Sequence, residues 1–123
     1  MSIIRKNLVE HYNWGDKCDG WHMLKTEGLS VIEERMPAGT AETMHYHEHA
    51  QQFFFILKGE AVFEKEGKQF EVKAKQGFVI KPLEKHRILN NSKEDLEFLV
   101  ISEPLAHGDR IEVTSSNLNT SKR

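Results

Sequence analysis

The chain contains one cysteine and no long apolar run, and both shortages exclude classes of protein. Cys18 has no second cysteine to pair with, so nothing in the composition indicates an oxidising compartment. The first residues lack the apolar run of a signal peptide, and no apolar run is long enough to cross a bilayer. We therefore expect a cytoplasmic protein with no membrane partner.

An excess of positive charge is also missing. The 17 lysines and arginines are outnumbered by 19 aspartates and glutamates, so the formal net charge is −2. Such a balance provides no basic surface, and we expect no nucleic-acid partner. With 123 residues the chain is long enough for one hydrophobic core and too short for two, which predicts a single domain.

From Trp21 onward the helical period is absent and short strand-like segments take its place. Turn sequences separate residues 21–25, 29–36, 42–47, 51–58, 60–65, 68–73, 78–81, 86–90 and 96–102. Their even spacing is typical of a sandwich or a small barrel. The pair Glu66-Gly67 lies between two of them and suits a tight hairpin.

The two ends of the chain differ from this middle part. Residues 1–20 have no sustained period, and we interpret them as a loosely structured N-terminal arm with room for a short strand. Residues 114–123 are polar and predict a disordered tail. The barrel is therefore expected to span residues 21–113.

Alternation along the strands predicts which residues face the barrel interior. If Gln52 points inward, Phe54 and Ile56 do so as well. The opposite faces are also apolar, which is unusual for the outside of a small barrel. We expect the arm or a second protomer to cover these outward residues, and a homodimer is predicted from Phe53, Phe55, Leu99 and Ile101.

The segment between Gly39 and Gly59 contains the strongest signal for chemistry. His45 and His47 are separated by one residue, so their imidazoles leave an extended strand on the same face and can share a metal ion. Gln52 can return to the same point from the next strand. The alternative is that the histidines only form hydrogen bonds inside the barrel, which is the usual role of a lone histidine.

Two motifs in this region resemble those of the cupin superfamily. The first family motif corresponds here to Gly39, His45-Tyr46-His47, Gln52 and Gly59. The second corresponds to Gly77, Pro82, His86 and Asn90. The family usually has glutamate where Gln52 stands, and a glycine after the proline that is missing here. The resemblance implies an all-β, single-domain cupin, a double-stranded β-helix or jelly-roll-like barrel.

The resemblance also implies a metal site formed by His45, His47, Gln52 and His86. This donor set suits one divalent transition metal: Zn, Fe, Ni, Mn or Cu. A glutamine amide offsets none of the ion's charge, so the full positive charge would remain available to a substrate. Direct ligation by Gln52 is favoured here over a hydrogen bond to a metal-bound water.

Candidate substrate contacts follow from the strand pattern. Phe54 and Phe98 are predicted to line the pocket and Arg35 to hold a substrate, with solvated charges as the alternative for Arg35. Glu34 lies on the opposite face of the same strand, and whichever face lines the barrel mouth could bind or deprotonate a substrate. His49 continues the alternation of His45 and His47, and we expect it at the pocket rim or in solvent. No partner spacing accompanies His11, His22, His107 or Cys18.

These observations favour a small metalloenzyme with a small-molecule ligand. The substrate would be small, oxygen-rich and anionic, and the chemistry that of a metal-dependent oxygenase or of an isomerase or epimerase. The alternative is a cupin without catalysis, which binds a small molecule or uses its metal only to stiffen the barrel. The motifs do not distinguish these functions, and whether the protein is an enzyme stays open.

Overall fold

The computed structural model describes residues 2–113, so the predicted tail at 114–123 lies outside the described part. Within residues 2–113 a short 3-10 helix at Lys6–Leu8 precedes eleven β-strands. The strands are β1 (His11–Trp14), β2 (Cys18–Lys25), β3 (Ser30–Met36), β4 (His45–His47), β5 (Gln51–Lys58), β6 (Glu60–Lys65), β7 (Lys68–Lys73), β8 (Gly77–Ile80), β9 (His86–Leu89), β10 (Leu96–Glu103) and β11 (Arg110–Glu112).

The strands form two antiparallel sheets. The larger sheet has the order β1-β2-β3-β10-β5-β8, and the smaller sheet has the order β11-β4-β9-β6-β7. This architecture confirms the predicted all-β barrel. The core between the sheets is built from large side chains on five of the strands: Met36, Phe54, Ile56, Phe63, Ile88 and Phe98.

The face assignment of β5 and β10 is confirmed. Phe54 is buried and lies opposite Val100 across the ladder, whereas Phe53 lies opposite Ile101 on the outer face and is 39% exposed. The arm contacts the outer face at β3, where the Lys6 ammonium is 2.7 Å from the Glu33 carboxylate and Glu33 pairs with Leu99. Cover for Phe53 by a second protomer therefore stays a prediction.

The hairpin between β6 and β7 is confirmed as well. Lys65 pairs with Lys68, so Glu66 and Gly67 are the two central residues of the turn. Both have positive φ, 48° and 82°, which is the geometry of the tight turn that matches strand twist. The sequence feature and the turn therefore agree in type and in position.

Two strands at the chain ends were not predicted as separate elements. β1 lies within the region interpreted as a loose arm, and its partner β2 begins at Cys18, before the expected start of the barrel. β11 pairs with β4 at the edge of the smaller sheet. Both are short: β1 alternates Tyr12 and Trp14 with polar residues over only four positions, and β11 has three residues, so neither gives a long enough pattern to detect. The domain limits remain a prediction, but these strands supply side chains to the interior.

Among the described residues, no helix is both long and apolar enough to span a membrane.

Candidate functional site

Three buried histidines meet between the sheets. His45 and His47 leave β4 on the same face, and His86 lies directly opposite His45 on β9. The rings of His45 and His86 have centroids 4.3 Å apart, and one nitrogen of each of the three rings lies within 4.8 Å of the others. The structure therefore brings together the three imidazoles that the motifs predict.

The hydrogen bonds of these rings determine their tautomers. Each Nδ1 lies near a backbone carbonyl oxygen, which can only accept, so each Nδ1 carries the hydrogen and donates it. The acceptors for His45, His47 and His86 are the carbonyl groups of Thr43 at 2.8 Å, Asp109 at 3.3 Å and Glu84 at 2.8 Å, respectively. The Nε2 atoms are left as lone-pair donors, as in metal-binding histidines with a fixed outer hydrogen bond.

The electrostatics also favour the neutral rings that a metal needs. Burial lowers the pKa of His45 to about 3, and the nearby Arg110 charge adds to this. Burial likewise lowers the pKa of His86 to about 4, helped by His45. The pKa of His47 is also lowered by burial. The three imidazoles therefore stay unprotonated at neutral pH, the state in which they bind metals.

Gln52 adds an oxygen beside the three rings. Its Nε2 donates to Ser102 Oγ at 3.1 Å, and its Oε1 is buried without a hydrogen-bond partner among the described residues. The Nε2 of His86 is also buried without a hydrogen-bond partner among the described residues. Buried polar atoms in proteins normally have hydrogen-bond partners. Two buried atoms without such partners, both with free lone pairs and both in this cluster, fit the binding of a metal ion. Ligation by Gln52 stays a prediction.

A cavity of about 490 Å³ adjoins the histidines. Glu34 on β3 faces it and accepts a hydrogen bond from the Tyr12 hydroxyl at 2.9 Å. The Tyr12 ring crosses β2 at Gly20, where an added Cβ would lie 2.3 Å from the ring. Only glycine therefore lets Tyr12 on β1 cross β2 and reach Glu34 on β3.

Burial changes the acid–base properties of this pair. It raises the pKa of the Glu34 carboxyl to about 8, and the nearby Glu42 carboxylate adds to the shift, whereas the Tyr12 hydrogen bond opposes it. Burial and the Glu34 charge raise the pKa of Tyr12 above its usual range. Glu34 is therefore a carboxylic acid that exchanges its proton near neutral pH.

A second carboxylate connects the histidines to a cation. Glu42 Oε1 is 3.9 Å from His45 Nδ1, and Glu42 Oε2 accepts from Arg110 Nη1 at 3.3 Å. Burial raises the pKa of Glu42, which the Arg110 charge opposes. Arg110 stands on β11 opposite His47, so the edge strand carries a guanidinium into the cavity wall.

The family is shown by comparison with known proteins. Residues 32–102, more than half of the chain, match the model of the Cupin domain family. The chain belongs to the cupin family. This match confirms the resemblance seen in the two sequence motifs, and it covers all four predicted metal ligands.

Curated relatives of this cupin cover about two thirds of its chain. An "Oxalate-binding protein" from Thermotoga maritima is 36% identical over 85 residues, which are 65% of this chain and 70% of that protein. An uncharacterized protein from Methanocaldococcus jannaschii is 30% identical over 81 residues, 65% of each chain.

Solved structures show the same fold. A predicted oxalate decarboxylase from Thermotoga maritima has a TM-score of 0.76 and 24% identity, covering 84% of this chain and 99% of that one. KdgF from a Halomonas species has a TM-score of 0.77 and 17% identity, covering 85% and 94%. At these identities the likeness shows the fold alone.

The three predicted substrate contacts of this cupin lie in different places. Phe54 lines the cavity, whereas Phe98 packs in the core with its ring centroid 5.9 Å from that of Phe54. Arg35 differs from the prediction, because its guanidinium binds Asp19 at 2.6 Å and Asp95 at 3.1 Å outside the cavity wall. The inward face of β3 instead carries Glu34.

Other cavity residues of this cupin were missed in the sequence because they come from distant segments. Tyr12, His107 and Arg110 all line the cavity. His22 and His107 have ring centroids 5.0 Å apart although no spacing connects them. His49 is exposed, as expected. The one usable signal was the alternation along β3, which identified Glu34 as a candidate without deciding between the two faces.

Proposed function

We propose that this cupin is a metal-dependent enzyme that binds a small carboxylate and moves a proton on it, an isomerase-type reaction. One observation carries the proposal: Glu34, a carboxyl group with its pKa raised to about 8, faces the same cavity as the three histidines. An acid–base group with such a pKa suits proton transfer. Oxygenase chemistry does not call for this group.

The residues fit a bound divalent ion of the kind the sequence implies, Zn, Fe, Ni, Mn or Cu. His45, His47 and His86 would hold it through Nε2, and Gln52 through Oε1. When bound, such an ion acts as a Lewis acid that polarises an oxygen of the substrate. None of these donors carries a negative charge, so the site would attract anions.

Arg110 is the group that would orient the carboxylate of the substrate. Its guanidinium has five donors in a planar fork, and it already binds the Glu42 carboxylate and, at 3.4 Å, the Thr43 carbonyl. Because Arg110 lines the cavity beside the histidines, it can hold a substrate carboxylate at the metal end. Substrates without a negative charge should then bind weakly.

Glu34 and Tyr12 would carry the proton. The ionised Glu34 takes a proton from the carbon next to the substrate carbonyl. The electron pair of that C–H bond forms a C=C bond, and the π pair of the carbonyl moves onto its oxygen. Tyr12 donates a hydrogen bond to Glu34 throughout and stabilises its ionised form. The Glu34 carboxylate is restored when the proton is returned to the substrate. The proton count of the protein is unchanged after one turnover.

Solvent exchange tests this proposal. The metal-loaded protein is mixed in D2O with small 2-oxo acids, and NMR follows the loss of the C–H signal next to the carbonyl. Glu34→Gln should slow exchange by roughly 100-fold or more, since general acid–base groups contribute about that much. Glu33→Gln is the matched control, because Glu33 is on the outer face beside Lys6. Oxygen uptake in place of exchange would contradict the proposal.

Binding without catalysis is the second candidate, and one observation favours it. The curated relative from Thermotoga maritima is described as an oxalate-binding protein. For this chain the distinction is experimental: a carboxylate that binds in calorimetry, while no 2-oxo acid exchanges its protons, would support a binding protein and exclude the enzymatic function.

A further inference from the structure

We infer that the ligand of this cavity is a carboxylate that also carries a flat ring, and that the ring binds an aromatic wall formed by Tyr12, Trp14 and His107. The inference rests on the proposed function, because the carboxylate is assigned to the metal end of the cavity. It adds a second recognition element to that site. All three wall residues line the cavity.

A very small ligand would leave most of the volume of the cavity to water. At about 30 Å³ for each water molecule, 490 Å³ corresponds to roughly 16 waters. A two-carbon dicarboxylate such as oxalate would displace only a few of them. Cavities of this size usually enclose a larger organic molecule, and most of the contact area comes from apolar and aromatic side chains.

The aromatic wall is held in place by contacts with neighbouring residues. Trp14 donates from Nε1 to the Asp19 carbonyl at 3.1 Å and packs against the core. The Tyr12 and His107 rings meet edge to face with centroids 5.7 Å apart, and His22 lies behind them at 4.9 Å from Tyr12 and 5.0 Å from His107. A fixed set of rings can bind a flat ring with little loss of side-chain entropy.

The wall adjoins the metal centre within one cavity. Tyr12 donates to Glu34 at 2.9 Å, and His107 precedes by three residues Arg110, which binds Glu42 beside His45. The apolar side chains of Ile32, Phe54 and Val100 line the same cavity. A ligand held by its carboxylate at Arg110 and the histidines can therefore meet apolar and aromatic side chains with the rest of its surface.

The position of the wall in the chain indicates that it is a separate feature. Its three residues come from β1 and from the segment before β11, outside residues 32–102 that match the family model. The predicted metal ligands all lie inside that range. Segments on either side of the matched range thus add the aromatic wall to a metal centre that the family domain already contains.

Calorimetry with matched ligands tests the inference on the full-length, metal-loaded protein. The probes are 3-phenyllactate, 3-cyclohexyllactate, lactate and oxalate, which share a carboxylate and differ in the ring. We expect 3-phenyllactate to bind at least about 10-fold more tightly than lactate, as burial of a phenyl group predicts, and more tightly than 3-cyclohexyllactate. Equal affinity for 3-phenyllactate and lactate would overturn the ring site.

Variants of the wall locate the effect. Trp14→Ala should remove most of the advantage of 3-phenyllactate over lactate, and Trp14→Phe should retain part of it. His107→Ala is a second variant in an exposed segment, in case Trp14→Ala does not fold. An advantage that survives both Trp14→Ala and His107→Ala, or equal binding of the phenyl and cyclohexyl ligands, would overturn the aromatic wall. If no carboxylate binds at all, the proposed function fails instead.

Discussion

Gln52 donates its amide hydrogen to Ser102 across neighbouring strands, with Nε2 and Oγ 3.1 Å apart. Because the amide nitrogen is engaged in this way, the amide oxygen points to the opposite side of the group, where it is buried and has no partner among residues 2–113. The hydroxyl of Ser102 thereby sets the orientation in which Gln52 can act as a ligand. Two predictions test this relationship.

Substitutions of Gln52 should change metal affinity in a fixed order. Gln52→Glu places a negative charge on the ion and should tighten binding, whereas Gln52→Leu removes the donor and should weaken it by about 10-fold or more. The expected order is Glu above Gln above Leu, measured by competition with a chromophoric chelator. Binding of a small carboxylate at saturating metal should weaken in Gln52→Glu. Equal metal affinity in all three proteins would show that Gln52 is not a ligand.

Removal of the Ser102 hydroxyl should also weaken metal binding, by less than Gln52→Leu does. Ser102→Ala leaves the Gln52 amide free to rotate, and outer partners of metal ligands are typically worth 10- to 100-fold in affinity. We expect about a 10-fold loss in the same chelator competition. In the Gln52→Leu background the Ser102→Ala change should have no further effect, and an additive loss there would contradict the proposed connection.

The raised pKa of Glu34 predicts how stability depends on pH in metal-free protein. The folded state keeps the Glu34 proton to about pH 8, whereas the unfolded chain releases it near 4.5. Between these values the folded state binds more protons, so the free energy of unfolding falls as pH rises. Glu34→Gln cannot titrate. Its stability relative to the wild type should therefore increase between pH 4.5 and 8, as measured by urea denaturation.

Glu33→Gln is the control for that series, since Glu33 lies on the outer face of the same strand. It removes a carboxyl group from the same strand without changing the cavity, so the two variants together isolate the contribution of Glu34. A Glu34→Gln difference that is flat with pH would show that the Glu34 carboxyl is ionised in the fold, and the proton-transfer role would then lose its basis.

Asp109 is expected to stabilise the turn that follows His47. Its carboxylate accepts hydrogen bonds from the backbone N–H groups of Glu48, His49 and Ala50 at 3.0–3.1 Å. Asp109→Ala leaves these donors without that acceptor and should cost about 1–3 kcal/mol in urea denaturation. Asp16→Ala, at an exposed turn, should change stability by less than about 0.5 kcal/mol. Equal losses in the two variants would contradict this role.

The apolar outer face of the larger sheet predicts a homodimer. Phe53 lies between Val79 and Ile101 on the neighbouring strands, and Phe53 and Val79 are 39% and 46% exposed. Phe53→Glu should weaken self-association by about 10-fold or more, since a buried Phe contributes roughly 1.5–3 kcal/mol. Leu83→Glu, at another exposed apolar position, is the control. Light scattering that shows a wild-type monomer at micromolar concentration would remove the dimer.

Much of the barrel could be predicted from the sequence because its strands are amphipathic and its turns are marked. The segments predicted at 51–58, 60–65 and 68–73 agree with the strands in the structure, since apolar alternation and the Glu66-Gly67 turn specify them locally. β1 and β11, with four and three residues, are too short for alternation to specify them. Their formation depends on pairing with β2 and β4, which is a property of the folded sheet.

The candidate site was predictable only where its residues share a local motif. His45, His47 and His86 were found because two of them share a strand face and the third stands at motif spacing. The contacts of Tyr12 with Glu34 and of Arg110 with Glu42 join residues 22 and 68 positions apart in the chain. No local period encodes such contacts, so the acid–base pair and the cation of the cavity required the structure.

The cavity is completed by the two strands that lie at the sheet edges, β1 in one sheet and β11 in the other. Edge strands near chain ends open locally at a lower free-energy cost than central strands, and amide hydrogen exchange detects that opening. Amides of β1 and β11 should therefore exchange faster than those of β5 and β10 in the protein without ligand. A ligand that contacts both edge strands would slow amide exchange in β1 and in β11, so the exchange rates of these two strands would detect its binding.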